Sequence, residues 1–232
     1  MKYRVKFTKT GPIKYIGHLD VMRYFQKVIR RADIPIAYSE GFSPHQILSF
    51  AFPLSVGFTS EGEYFDMELT QEVNCDELIS QFNANMNEGM SVSNVKALPD
   101  NAGNCMASVF AATYRIMIKD SISLPDGWKN KVDDYFSQQT IPVNKPKKKG
   151  GGFIEIDLKE FLYDFRILDD KTIEFTVNAS SANNIKPDFV MNCLFTALDM
   201  ETPEFGYNIH RVDILGNKCN EEKIDLVSLM EI

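Results

Sequence analysis

No stretch of this 232-residue chain is apolar over the roughly 20 positions that a membrane-spanning helix needs. The opening residues, MKYRVKFTKT, carry neither the apolar core nor the small-residue cleavage site of a secretory leader, so a cytoplasmic protein is expected. Cysteine is sparse and scattered. Cys75, Cys105, Cys193 and Cys219 form no Cys-x-x-Cys pair and have no histidine at ligand spacing, which argues against zinc and iron–sulfur sites and leaves structural thiols. The chain also lacks a phosphate-cradling glycine motif, a nucleophilic serine elbow and a His-Glu-x-x-His metal pattern. Neither a metal nor a cofactor is therefore expected.

Positive charge is in short supply overall but concentrated. Lys and Arg total 25 against 32 acids, a net charge of −7. Residues 1–50 hold nine of the cations (2, 4, 6, 9, 14, 23, 27, 30 and 31) and only three acids (Asp20, Asp33 and Glu40), so this end is about +6 and the rest about −13. An anionic partner is expected to dock at the basic end.

The length allows one large domain or two of about 100–120 residues each. Tyr3–Phe7 alternates as a strand, and Gly11-Pro12 breaks it. Leu19, Met22, Phe25, Ile29 and Ala32 recur at steps of three and four, which predicts a helix over 18–32 that stops before Pro35. A short strand at 36–38, a longer extended stretch after the loop 41–46, a strand at 63–69, a helix at 76–87 capped by Asn74, and a strand at 91–98 complete the first set. The order is βαββαβ, the ferredoxin-like pattern. After the turn-rich 99–104 the order repeats, with a strand at 112–118, a helix at 128–138, strands near 153–158 and 172–178, a helix at 187–198 and a strand at 208–215. Pro187 suits the first turn of its helix. The expected fold is α+β, with two tandem ferredoxin-like units at 1–98 and 108–216, a linker at 99–107 and a tail at 217–232 that packs back as a helix or adds to a sheet edge.

Three features carry candidate chemistry. Arg23, Lys27, Arg30 and Arg31 fall on the solvent side of the first helix with few acids near them, as a rail for phosphates would; a plain solvated face is the bland alternative. Gly41-Phe42-Ser43-Pro44-His45 is a shaped loop in which Phe42 is either a core plug, the commoner case, or a stacking surface for a base. Tyr38, Ser39, Ser43, His45 and Gln46 would surround that base with hydrogen-bonding groups. Lys147, Lys148 and Lys149 lie on a glycine hinge, where they either clamp a nucleic-acid backbone or solubilise a hairpin tip. His18 opens the first helix, where the helix dipole favours neutral imidazole. If His18 and His45 meet in one cleft, metal-independent RNA cleavage by general acid and base becomes possible.

Residues 15–65, above all Gly17-His18-Leu19-Asp20, Arg30-Arg31-Ala32, Ile34 through His45 and Ser60-Glu61-Gly62-Glu63-Tyr64, closely resemble the radical-SAM-linked proteins that contain a bacterial domain of unknown function. The likeness extends over nearly the whole chain. It implies a companion, encoded beside or fused to a radical S-adenosylmethionine protein with a cobalamin-binding-type domain. This chain lacks the Cys-x-x-x-Cys-x-x-Cys motif of such an enzyme, so the radical chemistry would lie on another polypeptide acting in trans. Gly17 and Ser43 stand where that family usually has Ser and Asn, and the family supplies no established catalytic residue. A weaker, architectural likeness is to the CRISPR RNA-processing endonucleases. The expected function is a non-catalytic partner that binds or presents a structured RNA such as tRNA or rRNA; an RNA endonuclease and a protein–protein adaptor are the alternatives.

Overall fold

The computed structural model describes residues 1–147, 150–219 and 224–232. In chain order the first elements are β1 (Lys2–Lys9), α1 (His18–Arg31), β2 (Leu48–Phe50), β3 (Thr59–Glu68), α2 (Cys75–Ala84) and β4 (Met90–Leu98). They are followed by β5 (Ala111–Ile118), α3 (Trp128–Phe136), β6 (Pro142–Pro146), β7 (Phe153–Asp157), β8 (Leu162–Ile167), β9 (Thr172–Asn178), α4 (Pro187–Ala197), β10 (Tyr207–Asn217) and β11 (Leu226–Ser228). The fold is mixed α/β with mostly antiparallel strand pairing and, among the described residues, four α-helices. None of them is long and apolar enough to cross a membrane. Two compact units emerge: Met1–Phe110 with His210–Ile232, and Ala111–Ile209.

In the first unit β1 is central, antiparallel to both β3 and β4, and β2 pairs antiparallel with β3. The strand order is thus β4-β1-β3-β2. Tyr3, Val5 and Phe7, alternate residues of β1, face Phe25, Val28 and Ile29 of α1 and Leu78 and Phe82 of α2, so both helices bury their apolar stripes on one side of the sheet. Phe25 and Phe65 anchor this core, with ring centroids 4.8 Å apart. The stripe of α1 runs through Val21, Phe25, Val28 and Ile29; Leu19, expected on it, is exposed. The cap on α2 is as expected: the Asn74 side chain accepts from the N–H groups of Asp76 and Glu77. That helix stops at Ala84 rather than 87, because the Asn83 amide pairs with the backbone of Val92 and the Asn85 amide bonds back to Gln81.

Several expectations are corrected. Residues 36–38 form no strand, only isolated bridges from Ile36 to Leu69 and from Tyr38 to Gln46. The segment expected as a linker is packed: the Cys105 N–H donates to Asp66, and its thiol donates to the Ser49 carbonyl. Residues from His210 onward belong with the first unit, where β10 runs parallel to β3 and β11 adds antiparallel to β10. Arg4 ties this return in place, since its guanidinium pairs with Asp66 and donates to the carbonyls of Gly103 and Leu229.

In the second unit β9 lies between β5 and β8, antiparallel to both. The strand expected near 153–158 is not in this sheet. Phe153–Asp157 pairs with β6 in a separate two-stranded ribbon, and the sheet position is taken by β8, whose alternation in LYDFRI had gone unread. Pro187 sits in the first turn of α4 as expected.

Candidate nucleic-acid interface

Helix α1 supplies the first component. The same periodicity that buries Val21, Phe25, Val28 and Ile29 turns Arg23, Lys27, Arg30 and Arg31 to solvent. Arg23 pairs with Asp20 at 3.2 Å, and Arg31 donates to the Asn85 carbonyl at 2.7 Å. Lys27 and Arg30 hold no hydrogen bond or ion pair among the described residues. The cations at the helix end also favour the negative pole of the helix dipole, so part of their value is structural.

Beside this helix stands the loop 39–45. The Ser39 N–H donates to the His45 carbonyl at 2.9 Å, and the His45 N–H donates to Ser39 Oγ at 3.1 Å. Ser39 Oγ and His45 Nδ1 share a further bond of 2.8 Å. The loop is therefore closed at its base, and Gly41 makes the turn at φ +107°, a value that side-chain-bearing residues avoid. Phe42 at its tip is fully exposed, so the inward reading of this side chain is corrected: the closed loop is too short to fold it back to the core. Tyr38, Ser43 and His45 are exposed too. Gln46 is not. It is buried, and its amide N–H donates to the Gln26 carbonyl on α1 at 3.3 Å, so it anchors the loop to the basic helix, while its Oε1 is buried without a hydrogen-bond partner among the described residues.

His18 belongs to a different locale. Its ring meets Phe50 edge-on, with centroids 5.6 Å apart, and lines a cavity of about 10 Å³ with Lys9, Phe52, Leu54 and Glu63. That volume has room for roughly one water, not for a nucleotide. Burial pushes the His18 imidazole below its ordinary value; Glu63 opposes the shift and Lys9 adds to it. His45 is not among the cavity's lining residues, and Gln46 next to it reaches α1 at Gln26, about 12 Å along the helix axis from His18 at the standard rise per residue. The two histidines keep separate neighbours.

Sequence reasoning missed the charged groups under His18. Glu63, 4% exposed, accepts two bonds of 2.7 Å from Arg211, which is 1% exposed, lies over the Phe52 ring and donates to the Phe52 carbonyl. Lys9 is also buried and donates to the carbonyls of Lys14 and Ile16; desolvation drives its amine below the ordinary lysine value. One signal was available: Lys9 lies in phase with Tyr3, Val5 and Phe7, on the apolar face of β1. For Arg211, 148 positions from its partner, no local signal exists. Among the described residues no cluster of His, Cys, Asp or Glu is arranged to hold a metal ion.

Of the lysine loop, Lys147 is exposed in the second unit, and Lys148 and Lys149 lie outside the described residues. The structure thus brings α1 and the loop 39–45 together in one unit and places Lys147 in the other.

The chain resembles a chain of the crystal structure of a Cbf5-Nop10-Gar1 complex, with a TM-score of 0.50 and 8% identity over 90% of its own length. It spans 47% of that chain, and at this identity the likeness speaks to fold alone. No curated protein matches it. A family model does, over residues 2–187: the chain belongs to the family described as an uncharacterized protein conserved in bacteria, DUF2344.

Proposed function

We propose that this protein is a non-catalytic RNA-binding subunit that presents a structured RNA, such as tRNA or rRNA, to a radical SAM enzyme acting in trans. The observation that carries the RNA half is the fully exposed Phe42, held on a closed loop that is bonded to the helix bearing Arg23, Lys27, Arg30 and Arg31. An apolar ring projected into water beside a row of cations suits an unpaired base with its phosphates. Tyr38, Ser43 and His45 supply polar edges around it. The radical SAM half rests on the resemblance of residues 15–65. In this reading both units are ferredoxin-like modules, the second carrying the β6–β7 ribbon as an insertion, and the protein works in the cytoplasm.

The endonuclease alternative needs His18 and His45 at one reacting phosphate, and their separate surroundings give it no support. The adaptor alternative draws on the net charge of −7. The test is recovery of the tagged protein from its own cells, with and without nuclease, with sequencing of retained RNA and identification of retained proteins. A discrete RNA recovered together with a radical SAM protein is the expected result. Recovery of the enzyme without RNA makes the basic helix a protein-docking face and overturns the reading. The unaltered protein is expected to leave bound RNA uncut, and His18→Ala and His45→Ala to change nothing in that respect, whereas an endonuclease would cut the RNA and lose cleavage by orders of magnitude in either variant.

A further inference from the structure

Ser39 holds His45 by three bonds. Its N–H donates to the His45 carbonyl, its Oγ accepts from the His45 backbone N–H at 3.1 Å, and the same Oγ lies 2.8 Å from His45 Nδ1. The next residue is anchored too, since Gln46 bridges to Tyr38 and donates to the Gln26 carbonyl on α1. The imidazole therefore stands in a fixed place on an exposed loop. Hydrogen-bond accounting assigns its tautomer. A serine hydroxyl has one proton and two lone pairs. One lone pair of Ser39 takes the His45 backbone N–H, and a hydroxyl that accepts is polarised into a better donor. His45 Nδ1 is the acceptor within reach of that proton. The opposite tautomer would make Oγ accept twice and leave the half-buried hydroxyl proton without a partner among the described residues. Nδ1 is thus the acceptor, and in the neutral ring the proton sits on Nε2. Because Nδ1 is turned into the loop closure, Nε2 on the far side of the ring is turned away from it, with no partner among the described residues.

We propose that Ser39 positions His45 to donate, through Nε2–H, to the exocyclic carbonyl of a keto base, uracil or guanine, stacked on Phe42. The proposal rests on the RNA-binding reading above and names the bases that this loop takes. Hydrogen-bond roles make the choice, not charge. Uracil and guanine present O4 and O6 as acceptors where cytosine and adenine present amino donors. A donor set against an amino group leaves N–H groups on both sides unpaired, which is the mismatch that a polar site rejects most strongly. The single acid of the loop fits the same pattern. Glu40 is exposed beside Gly41 and can only accept, and both keto bases carry an imino N–H next to the carbonyl. Ser39 itself touches no ligand in this scheme; it acts through His45.

The experiment uses the full chain and has two readouts. The first is the long-range proton–nitrogen correlation of the histidine rings at pH 8, in which His45→Gln identifies the His45 signals by their loss. A proton on Nε2 and a bare Nδ1 are expected, with Ser39→Ala giving a mixture of tautomers and Ser39→Thr keeping the parent pattern. A proton on Nδ1 in the unaltered protein overturns the proposal whatever the RNA does. The second is affinity for oligouridylate and oligocytidylate of equal length across a salt series, so that the phosphate contribution cancels between them. The parent is expected to bind the uridylate about tenfold more tightly, the discrimination that one matched base contact supplies. His45→Ala and Ser39→Ala should bring the two affinities together, Ser39→Thr should restore the difference, and Phe42→Ala should weaken both oligomers. Equal, salt-dependent binding of the two by the parent, or a preference for uridylate that survives His45→Ala, removes the base assignment and leaves the RNA reading standing. If the unaltered protein shows no salt-dependent binding of either, both fall.

Discussion

The buried pair of Glu63 and Arg211 shows what a single residue contributes here. Each is almost wholly removed from water, and each charge is matched by the other through two bonds of 2.7 Å. Removing one partner strands the other, which costs about 3–5 kcal/mol in comparable settings. Arg211→Leu is therefore expected to lower the urea midpoint severely, and Glu63→Leu combined with Arg211→Leu to recover part of that loss. A double-mutant cycle on unfolding reads the difference, and equal damage from the single and double variants would contradict it. His18, above this pair, gives a pH signature. Its folded-state pKa lies below the unfolded 6.5, so the unfolded chain binds the extra proton. The stability due to His18 is thus complete above about 6.5 and declines as pH falls below it. Denaturation midpoints at pH 8 and pH 5.5 should fall further apart in the parent than in His18→Asn, which cannot titrate. The pairing of Glu63 with Arg211 was nearly invisible in the sequence, because burial of a charge depends on a partner that the local pattern does not reveal. Phe42 was named from the sequence but its direction was not readable: an aromatic residue is core by default, and only the closure of its loop by Ser39 and His45 puts it outside.

At the scale of elements, legibility followed periodicity. β1, α1, β4, β9 and α4 were readable because each repeats its apolar residues at its own period over several turns or pleats. The ends were less readable, as at α2, where side-chain bonds from Asn83 and Asn85 stop the helix earlier than its pattern suggests. The β6–β7 ribbon and β8 were confused with one another because both alternate, and only pairing tells them apart. Asn74 offers a direct check on the element it starts. Its side chain satisfies two otherwise unpaired N–H groups, so Asn74→Ala should cost about 1 kcal/mol, and Asn74→Asp or Asn74→Ser should restore most of it. Helix α1 offers a functional check. Lys27→Glu with Arg30→Glu changes only exposed residues that make no hydrogen bond or ion pair among the described residues, so the thermal midpoint should fall only slightly, by the loss of Arg30 at the negative pole of the helix. RNA affinity should fall by at least tenfold, with a shallower salt dependence. Unchanged affinity would remove the rail from the interface.

At the scale of the molecule, the chain leaves the first unit after Phe110 and re-enters it at His210, a connectivity that repeating βαββαβ patterns did not foretell. Its consequence is severe for truncation. The returning segment supplies Arg211 to Glu63, Asp213 to Lys6 and Tyr64, and the Leu229 carbonyl to the buried Arg4 guanidinium. Gly62 allows the close approach, since a β-carbon there would lie 2.5 Å from backbone atoms of Val212 and Asp213. A chain ending at Ile209 leaves Glu63 buried without its guanidinium, at a cost of about 3–5 kcal/mol, and orphans Arg4 donors as well. Against a typical domain stability of about 5–15 kcal/mol, these losses are enough to unfold a unit of this size. Such a truncated chain is expected to lose the cooperative transition of the first unit and its RNA binding, while β9, whose pairings with β5 and β8 lie within 111–209, keeps slow amide exchange. Hydrogen exchange resolved by peptide separates the outcomes: protection retained in β1 and β3 would mean that the first unit stands without its C-terminal return.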